Sequence, residues 1–261
     1  MNQHFPKGAK QRIVIVGGGF GGIELAKKLK KADVEVMMLD KHNYHTFQPL
    51  LYQVATGGLE ADSIAFPLRK IFKGQKNLTF RVTKVKNVRA AENIIETSIG
   101  TIEYDHLVLA TGTTSNFFGN KEIEHNAMPM KSIPEALNLR SLILQNLEAA
   151  QIETDPLERA ELLNFVVVGG GPTGVETAGA IAELKKHVLK NDYPELNIDD
   201  VNIYLIEGSP ELLGAMSTQS QTKSAEFLRE LGVTIMNSAR VKSYDGNALS
   251  LEDGQKIPSS T

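Results

Sequence analysis

Two runs of glycine, each followed at a distance by a carboxylate, carry the chemistry that can be read first from this chain. Gly17-Gly18-Gly19-Phe20-Gly21-Gly22 and Gly169-Gly170-Gly171-Pro172-Thr173-Gly174 both fit G-x-G-x-x-G. At that spacing the first glycine allows a tight turn, the second admits a pyrophosphate to the backbone, and the third lets a helix pack on a strand. The helix that follows offers unpaired N–H groups and the positive end of its dipole to the phosphates. Asp40 follows Gly22 at close to the roughly 20 residues at which an acid grips a ribose. Glu207 is the matching acid of the second loop. It stands much farther from Gly174 than Asp40 does from Gly22, and this spacing requires an insertion, which Lys190–Asp200 supplies. Glu207 is followed by Gly208-Ser209, with no arginine to welcome a 2′-phosphate, so the second loop reads as selecting NADH over NADPH. The plainer alternatives are glycines that only turn the chain and a strand-end acid on a surface.

Those residues need strands and helices to hold them, and the sequence supplies the same set twice. Ile13–Leu29 (IVIVGGGFGGIELAKKL) and Phe165–Ile181 (FVVVGGGPTGVETAGAI) align without a gap. The identities are Val14 with Val166, Val16 with Val168, Gly17-Gly18-Gly19 with Gly169-Gly170-Gly171, Gly22 with Gly174, Glu24 with Glu176 and Ala26 with Ala178. The separation of the copies is the size of a domain, not of a solenoid unit. Each copy opens with a short uncharged run of β-branched residues, expected of a strand buried on both faces of a parallel sheet. Helices are expected over Gly19–Lys31 and Pro172–Lys190, and second buried strands over Val34–Leu39 and Val201–Ile206. A β-α-β unit occurring twice predicts an α/β fold with two Rossmann-like dinucleotide-binding domains. Between the copies, Leu78–Val88 and Ile94–Ile102 read as a small antiparallel excursion (about 78–104), and His106–Leu109 as another short buried strand, ending in Ala110-Thr111-Gly112. Pro134–Ile152 carries apolar residues at helical spacing. Beyond Glu207, Thr218–Leu231 reads as a helix, Val233–Met236 as a strand, and Arg240–Tyr244 with Ala248–Leu251 as a hairpin.

Composition narrows the classes. The 261 residues are 41% hydrophobic and 23% charged, with no cysteine and a formal net charge of -3. That excludes a disordered or fibrous chain, and disulfides, thiolate metal sites or a redox dithiol within this chain. It also gives no general electrostatic case for nucleic acid. No apolar run approaches the roughly 18 residues needed to span a bilayer. Ile13–Ile23 is broken by five glycines and is no signal peptide. The chain reads as a soluble, cytoplasmic globular protein. His42-x-x-His45 lacks further ligands at suitable spacing, so no metal is expected, and no Gly-x-Ser-x-Gly elbow occurs. Arg69, Lys70, Lys73, Lys76, Arg81, Lys84, Lys86 and Arg89 run without an intervening acid. A solvated face is the plain reading of that cluster, and contact with an anionic membrane the sharper one.

Two glycine motifs with Ala110-Thr111-Gly112 between them resemble the two-dinucleotide flavoprotein reductases. Three stretches are more particular: His42–Gly57 (HNYHTFQPLLYQVATG), Tyr104–Gly112 (YDHLVLATG) and Val166–Glu176. Over Gln11–Ile257 the chain resembles the type II NADH dehydrogenases, which are single-chain NADH:quinone oxidoreductases. The resemblance implies FAD at the first motif and NADH at the second, in domains spanning residues 1–125 and 126–261. Gly17, Gly19, Phe20, Gly21 and Gly22 would line the FAD pyrophosphate, and Asp40 would bind its adenosine ribose with Lys41 alongside. Val85 would meet adenine through its backbone, Gln48 and Pro49 would lie near the flavin, and Thr111 and Gly112 would belong to the same site. Gly169, Gly171, Pro172, Thr173, Gly174 and Glu207 would hold NADH. Glu176 matches an acid near the flavin–nicotinamide contact; the alternative is a first-turn glutamate favoured by the helix dipole.

The implied reaction is hydride transfer from NADH to FAD and electron transfer on to a quinone, with the cofactors carrying the chemistry. The implied setting is a homodimer at the cytoplasmic face of a membrane. Sulfide:quinone and disulfide reductases are disfavoured, because their chemistry uses cysteines. The family returns to its FAD domain after the NADH domain, then adds a quinone-site segment and an amphipathic C-terminal anchor; none of these is found here. The first domain is therefore expected to be incomplete, the chain to be the N-terminal part of a longer protein, and its hold on FAD to be weak. A reductase or oxidase with a different acceptor, and a non-catalytic NADH-sensing module, are the competing readings.

Overall fold

Strand β1 (Arg12–Val16) runs through the first glycine loop into helix α1 (Phe20–Lys28), which returns the chain to β2 (Glu35–Asp40). These elements belong to a computed structural model that describes residues 3–261. Strands β3 (Leu78–Val82) and β4 (His106–Leu109) complete a parallel sheet ordered β4-β1-β2-β3. Successive side chains of a strand point to opposite faces, and here both faces are covered. On one, Ile15, Val36 and Met38 pack with Ile23 and Ala26 of α1 and with Leu68 and Phe72. On the other, Val14, Val16, Met37 and Leu39 pack against Ile95, Ile102 and Tyr104. This covering layer is a second sheet: Val85–Arg89, Ile94–Thr97 and Gly100–Glu103 pair antiparallel, and Gln3–Phe5 joins Gly100–Glu103 in parallel. Two-sided burial is why the centre of β1 and the core of β2 carry no charge.

The structure departs from expectation at two strands. Leu78–Val82 is not part of the antiparallel excursion; it pairs in parallel with β2, with Leu39 opposite Arg81. Its alternation of Leu78 and Phe80 with Thr79 and Arg81 is that of an outer strand with one face on the core, a pattern a hairpin strand shares. His106–Leu109 is the other outer strand, and Leu109 is 65% exposed, so β4 is not buried on both faces.

The second parallel sheet has the order β5-β6-β7, from β5 (Asn164–Val168), β6 (Asn202–Ile206) and β7 (Val233–Met236). Helix α2 (Ile133–Ile152) precedes it, opened by a capping box of Ser132 and Glu135. Helix α3 (Pro172–Leu184) joins β5 to β6, and α4 (Thr218–Glu230) leads to β7. The helix expected to reach Lys190 changes at Lys185 to a π turn through Leu189 before a last turn at Lys190–Asp192. The Lys185 ammonium donates to the Val201 carbonyl at 2.7 Å. Val241–Tyr244, Ala248–Leu251 and Lys256–Pro258 form a small antiparallel sheet whose Tyr244, Leu249, Leu251 and Ile257 pack with Ile206 and Val166. By its internal packing the chain divides into two units, one reaching to Phe47 and resuming at Asp62–Thr114, the other Gln48–Ala61 with Ser115–Thr261. Among the described residues no helix is long and apolar enough to cross a membrane.

In the first unit the end of the sheet remote from the glycine loop is tied by one buried arginine. Arg12 is 5% exposed; its Nε donates to Glu35 at 3.0 Å, and its terminal nitrogens donate to the carbonyls of Phe5, Pro6 and Glu103. Removing it leaves three carbonyls and a carboxylate without their partner. We expect Arg12→Met to lower unfolding free energy in urea by about 3 kcal/mol, and a loss below about 1 kcal/mol would show that the clasp is peripheral.

Candidate functional site

Each glycine loop is shaped by backbone that no larger residue could supply. Gly17 and Gly169 adopt φ of +113° and +110°, a region that disfavours side chains. Their N–H groups donate to the Leu39 and Ile206 carbonyls, both at 2.8 Å, which fixes each loop to the neighbouring strand. At the third glycine the helix runs so close to the loop that a Cβ on Gly22 would lie 1.9 Å from the Gly17 carbonyl oxygen; on Gly174 it would lie 1.8 Å from that of Gly169. By contrast, a Cβ on Gly19, Gly21 or Gly171 would meet nothing within 4 Å. One side of each loop is therefore packed and the other open, the cradle that a pyrophosphate requires.

The helix N-termini fit an anion. Gly19 and Gly171 are the N-caps of α1 and α3, and neither helix has a side-chain cap or an acid in its first turn. The helices opened by Ser132, Asp155 and Ser217 all have side-chain caps. At α1 and α3 the first-turn N–H groups and dipole end are left for a ligand.

The two acids behave alike. Asp40 Oδ2 accepts from the Gly18 N–H at 2.5 Å and Oδ1 from the His42 N–H at 2.7 Å. Glu207 Oε2 accepts from the Gly170 N–H at 2.5 Å and Oε1 from the Ser209 N–H at 2.6 Å. Burial pushes the Glu207 carboxyl up, but the backbone N–H groups of Gly170, Ser209 and Gly208 outweigh it and hold the group below the ordinary carboxylate value. Both acids are thus fixed at the strand end beside the loop, where a ribose hydroxyl can donate to them.

The remaining expected residues fall into place unevenly. Phe20 is 47% exposed; its ring meets His45 edge-on at 4.8 Å and Phe47 at 5.5 Å. His45 Nδ1 lies 3.1 Å from the Gly18 carbonyl oxygen. That histidine buttresses the loop, a role the sequence did not signal because its spacing from His42 suggested only a metal pair. Lys41 is exposed next to Asp40. The side chain of Val85 packs on the core with Val14 and Leu39, and the residue stands opposite Thr97 at the start of its strand. Ala110 and Thr111 run against Gly17, whose Cβ would come 2.1 Å from the Ala110 carbonyl oxygen; Gly112 follows with φ of +70°. Gln48 and Pro49 lie in a short 3-10 turn within the second unit, with the Gln48 amide donating to the Lys131 carbonyl at 3.2 Å.

In the second unit Gly169, Gly171, Pro172, Thr173, Gly174 and Glu207 line one groove of about 1100 Å³. Glu176 is not among its lining residues. It is the fifth residue of α3, just past the first turn that the alternative reading gave it, exposed and with its carboxyl raised by desolvation.

Two strand–loop–helix–strand units, each with a carboxylate locked to its loop, define a protein with paired dinucleotide-binding folds of the flavoprotein-reductase kind. The chain belongs to the pyridine nucleotide-disulphide oxidoreductase family, which it matches over residues 11–261. It is 40% identical over 248 residues to the type II NADH:quinone oxidoreductase Ndh of Mycobacterium tuberculosis, across 94% of this chain and 54% of that one. It is 33% identical over 264 residues to the mitochondrial external alternative NADH-ubiquinone oxidoreductase of Yarrowia lipolytica, across 95% of this chain and 45% of that protein. In fold it resembles the Plasmodium falciparum NDH2 solved in complex with NADH, with a TM-score of 0.89 at 23% identity, over 96% of this chain and 54% of that one. The chain spans about half the length of the curated relatives it matches. Its lack of cysteine means that it offers no dithiol of the kind in the family's name.

Two outcomes follow from this geometry. Gly22→Ala should lower the thermal midpoint by roughly 10 °C or prevent folding, because backbone must move. Gly19→Val, facing open space, should melt within roughly 3 °C of the unaltered chain. Equal melting of the two variants would contradict the packing described. The second concerns pH. With its folded value depressed, Glu207 contributes stability that is complete above its ordinary value of 4.5 and is lost as pH falls through the folded value. The stability difference between the unaltered chain and Glu207→Gln, measured in urea, should therefore be larger at neutral pH than near pH 3.

Proposed function

We propose that this chain holds the FAD site and the NADH site of an NADH dehydrogenase that passes electrons to a quinone. The supporting observation is the duplicated site: two open glycine loops, two uncapped helix N-termini and two strand-end acids bonded to their loops. The names of the relatives support the assignment of NADH as donor and quinone as acceptor.

In this reading the N–H groups of Gly19, Phe20, Gly21 and Gly22 receive the FAD pyrophosphate over the turn made by Gly17. Asp40 accepts from the adenosine ribose, with Lys41 balancing its charge, and the Val85 backbone meets adenine. Gln48, Pro49, Thr111 and Gly112 belong to the flavin end. Gly169, Gly171, Pro172, Thr173 and Gly174 receive the NADH pyrophosphate. Glu207 accepts from the ribose hydroxyls and disfavours a 2′-phosphate, while Glu176 lies toward the nicotinamide. Bound FAD would supply hydride acceptance and electron transfer; the protein's part is to orient the two nucleotides and exclude water. The FAD-binding part is assigned to residues 1–125 and the NADH-binding part to residues 126–261, in an enzyme acting as a homodimer at the cytoplasmic face of a membrane.

The test is a crossed binding experiment. By equilibrium dialysis, Gly19→Val should weaken FAD at least tenfold and leave NADH unchanged, and Gly171→Val should do the reverse. With FAD saturating and oxygen excluded, NADH should bleach the flavin absorbance and a water-soluble quinone should restore it. Loss of FAD on altering Gly171, or of NADH on altering Gly19, would overturn the assignment of the two loops.

A further inference from the structure

The sequence beside Glu207 offers no arginine, but the fold brings one there. The turns after β6 and β7 are laced together: Glu207 N–H donates to the Met236 carbonyl at 2.9 Å, Ser238 N–H to that of Ser209 at 2.9 Å, and Ala239 N–H to that of Glu207 at 3.0 Å. The next residue, Arg240, is thereby set against Gly208. Its Cγ lies 3.7 Å from the point a Cβ on Gly208 would occupy, and it lines the same groove as Glu207, Gly208 and Ser209. Among the described residues the Arg240 side chain takes part in no hydrogen bond or ion pair. Glu207 makes no ion pair with it; its two carboxylate oxygens are turned to the Gly170 and Ser209 N–H groups.

The first unit repeats the arrangement. There Thr83 N–H donates to the Asp40 carbonyl at 2.7 Å, and the next residue is Lys84. In both units a basic residue directly follows the one bonded to the carbonyl of the strand-end acid. At the second site that residue is an arginine, whose planar fork of donors matches the oxygens of a phosphate.

We propose that Arg240 is a second specificity-determining residue of the nicotinamide-nucleotide site, a guanidinium that engages a 2′-phosphate and offsets its repulsion by Glu207. The site then prefers NADH but still accepts NADPH. The inference rests on the reading of the second loop as the NADH site.

Dissociation constants for NADH and NADPH, measured by titration calorimetry on the unaltered chain, Arg240→Gln and Arg240→Lys, test it. Arg240→Gln should weaken NADPH at least fivefold and NADH less than twofold, and should flatten the salt dependence of NADPH binding. Arg240→Lys should recover the salt dependence with part of the affinity. If both nucleotides bind and Arg240→Gln shifts them equally or not at all, Arg240 has no such role while the second loop stands. If neither nucleotide binds the unaltered chain, the reading of the second loop falls, and the role of Arg240 falls with it.

Discussion

The contact between the third glycine and the first carbonyl of each loop is the constraint from which the rest follows. Because the helix can come down onto the loop at Gly22 and Gly174, its axis points its N-terminus at the open side of the turn. Because Gly17 and Gly169 are bonded to the next strand, the helix cannot slide away from the sheet. The strand-end acid then has only one place to go. Its carboxylate reaches back to the middle glycine and closes a ring of loop, strand and acid, with Asp40 and Glu207 each fixed by two backbone N–H groups. Packing thus sets the electrostatics: a positive helix end and a fixed acid side by side, suited to the phosphate and the sugar of one nucleotide.

The same core device is covered differently in the two units. The first sheet is roofed by an antiparallel sheet that is itself joined by the N-terminal strand. The second is met by the small sheet of Val241–Tyr244, Ala248–Leu251 and Lys256–Pro258. The covering differs, yet the helix approach is nearly identical, at 1.9 Å in the first loop and 1.8 Å in the second. A steric requirement at one point would produce that agreement. Surroundings that do not touch that point were free to diverge.

Much of this was legible in the sequence, and the reasons are local. Strand, loop, helix and acid follow one another within a short span, and each carries its own physical marker: β-branched runs, glycines at fixed offsets and an acid where a strand ends. The outer strands were harder: β3 alternates like a hairpin strand, while β4, with Leu107, Val108 and Leu109 in a row, reads as buried although Leu109 is 65% exposed. Glu176 was open to a first-turn reading, but with α3 opening at Pro172 it falls just past the first turn. The resemblance put His45 in a cofactor-binding stretch, but neither its contact with Gly18 nor that of Arg240 with Gly208 was legible. His45 lies 27 residues from the carbonyl it meets, Arg240 reaches Gly208 from the turn after β7, and spacing along a chain does not report contacts made through a sheet.

The stretch between α3 and β6 shows how loosely chain length is tied to site geometry. Glu207 follows its loop at nearly twice the sequence distance at which Asp40 follows its own. Yet both acids make the same pair of backbone bonds, because strand register and not the length of the connection decides where they end. The extra residues are absorbed in a π turn, a short helical turn and the Ile198–Asp200 turn. This connection is therefore a natural graft point. Foreign sequence such as a reporter peptide could be spliced in at its exposed Pro194-Glu195, with the buried Leu189 and Leu196 on either side left to keep their packing.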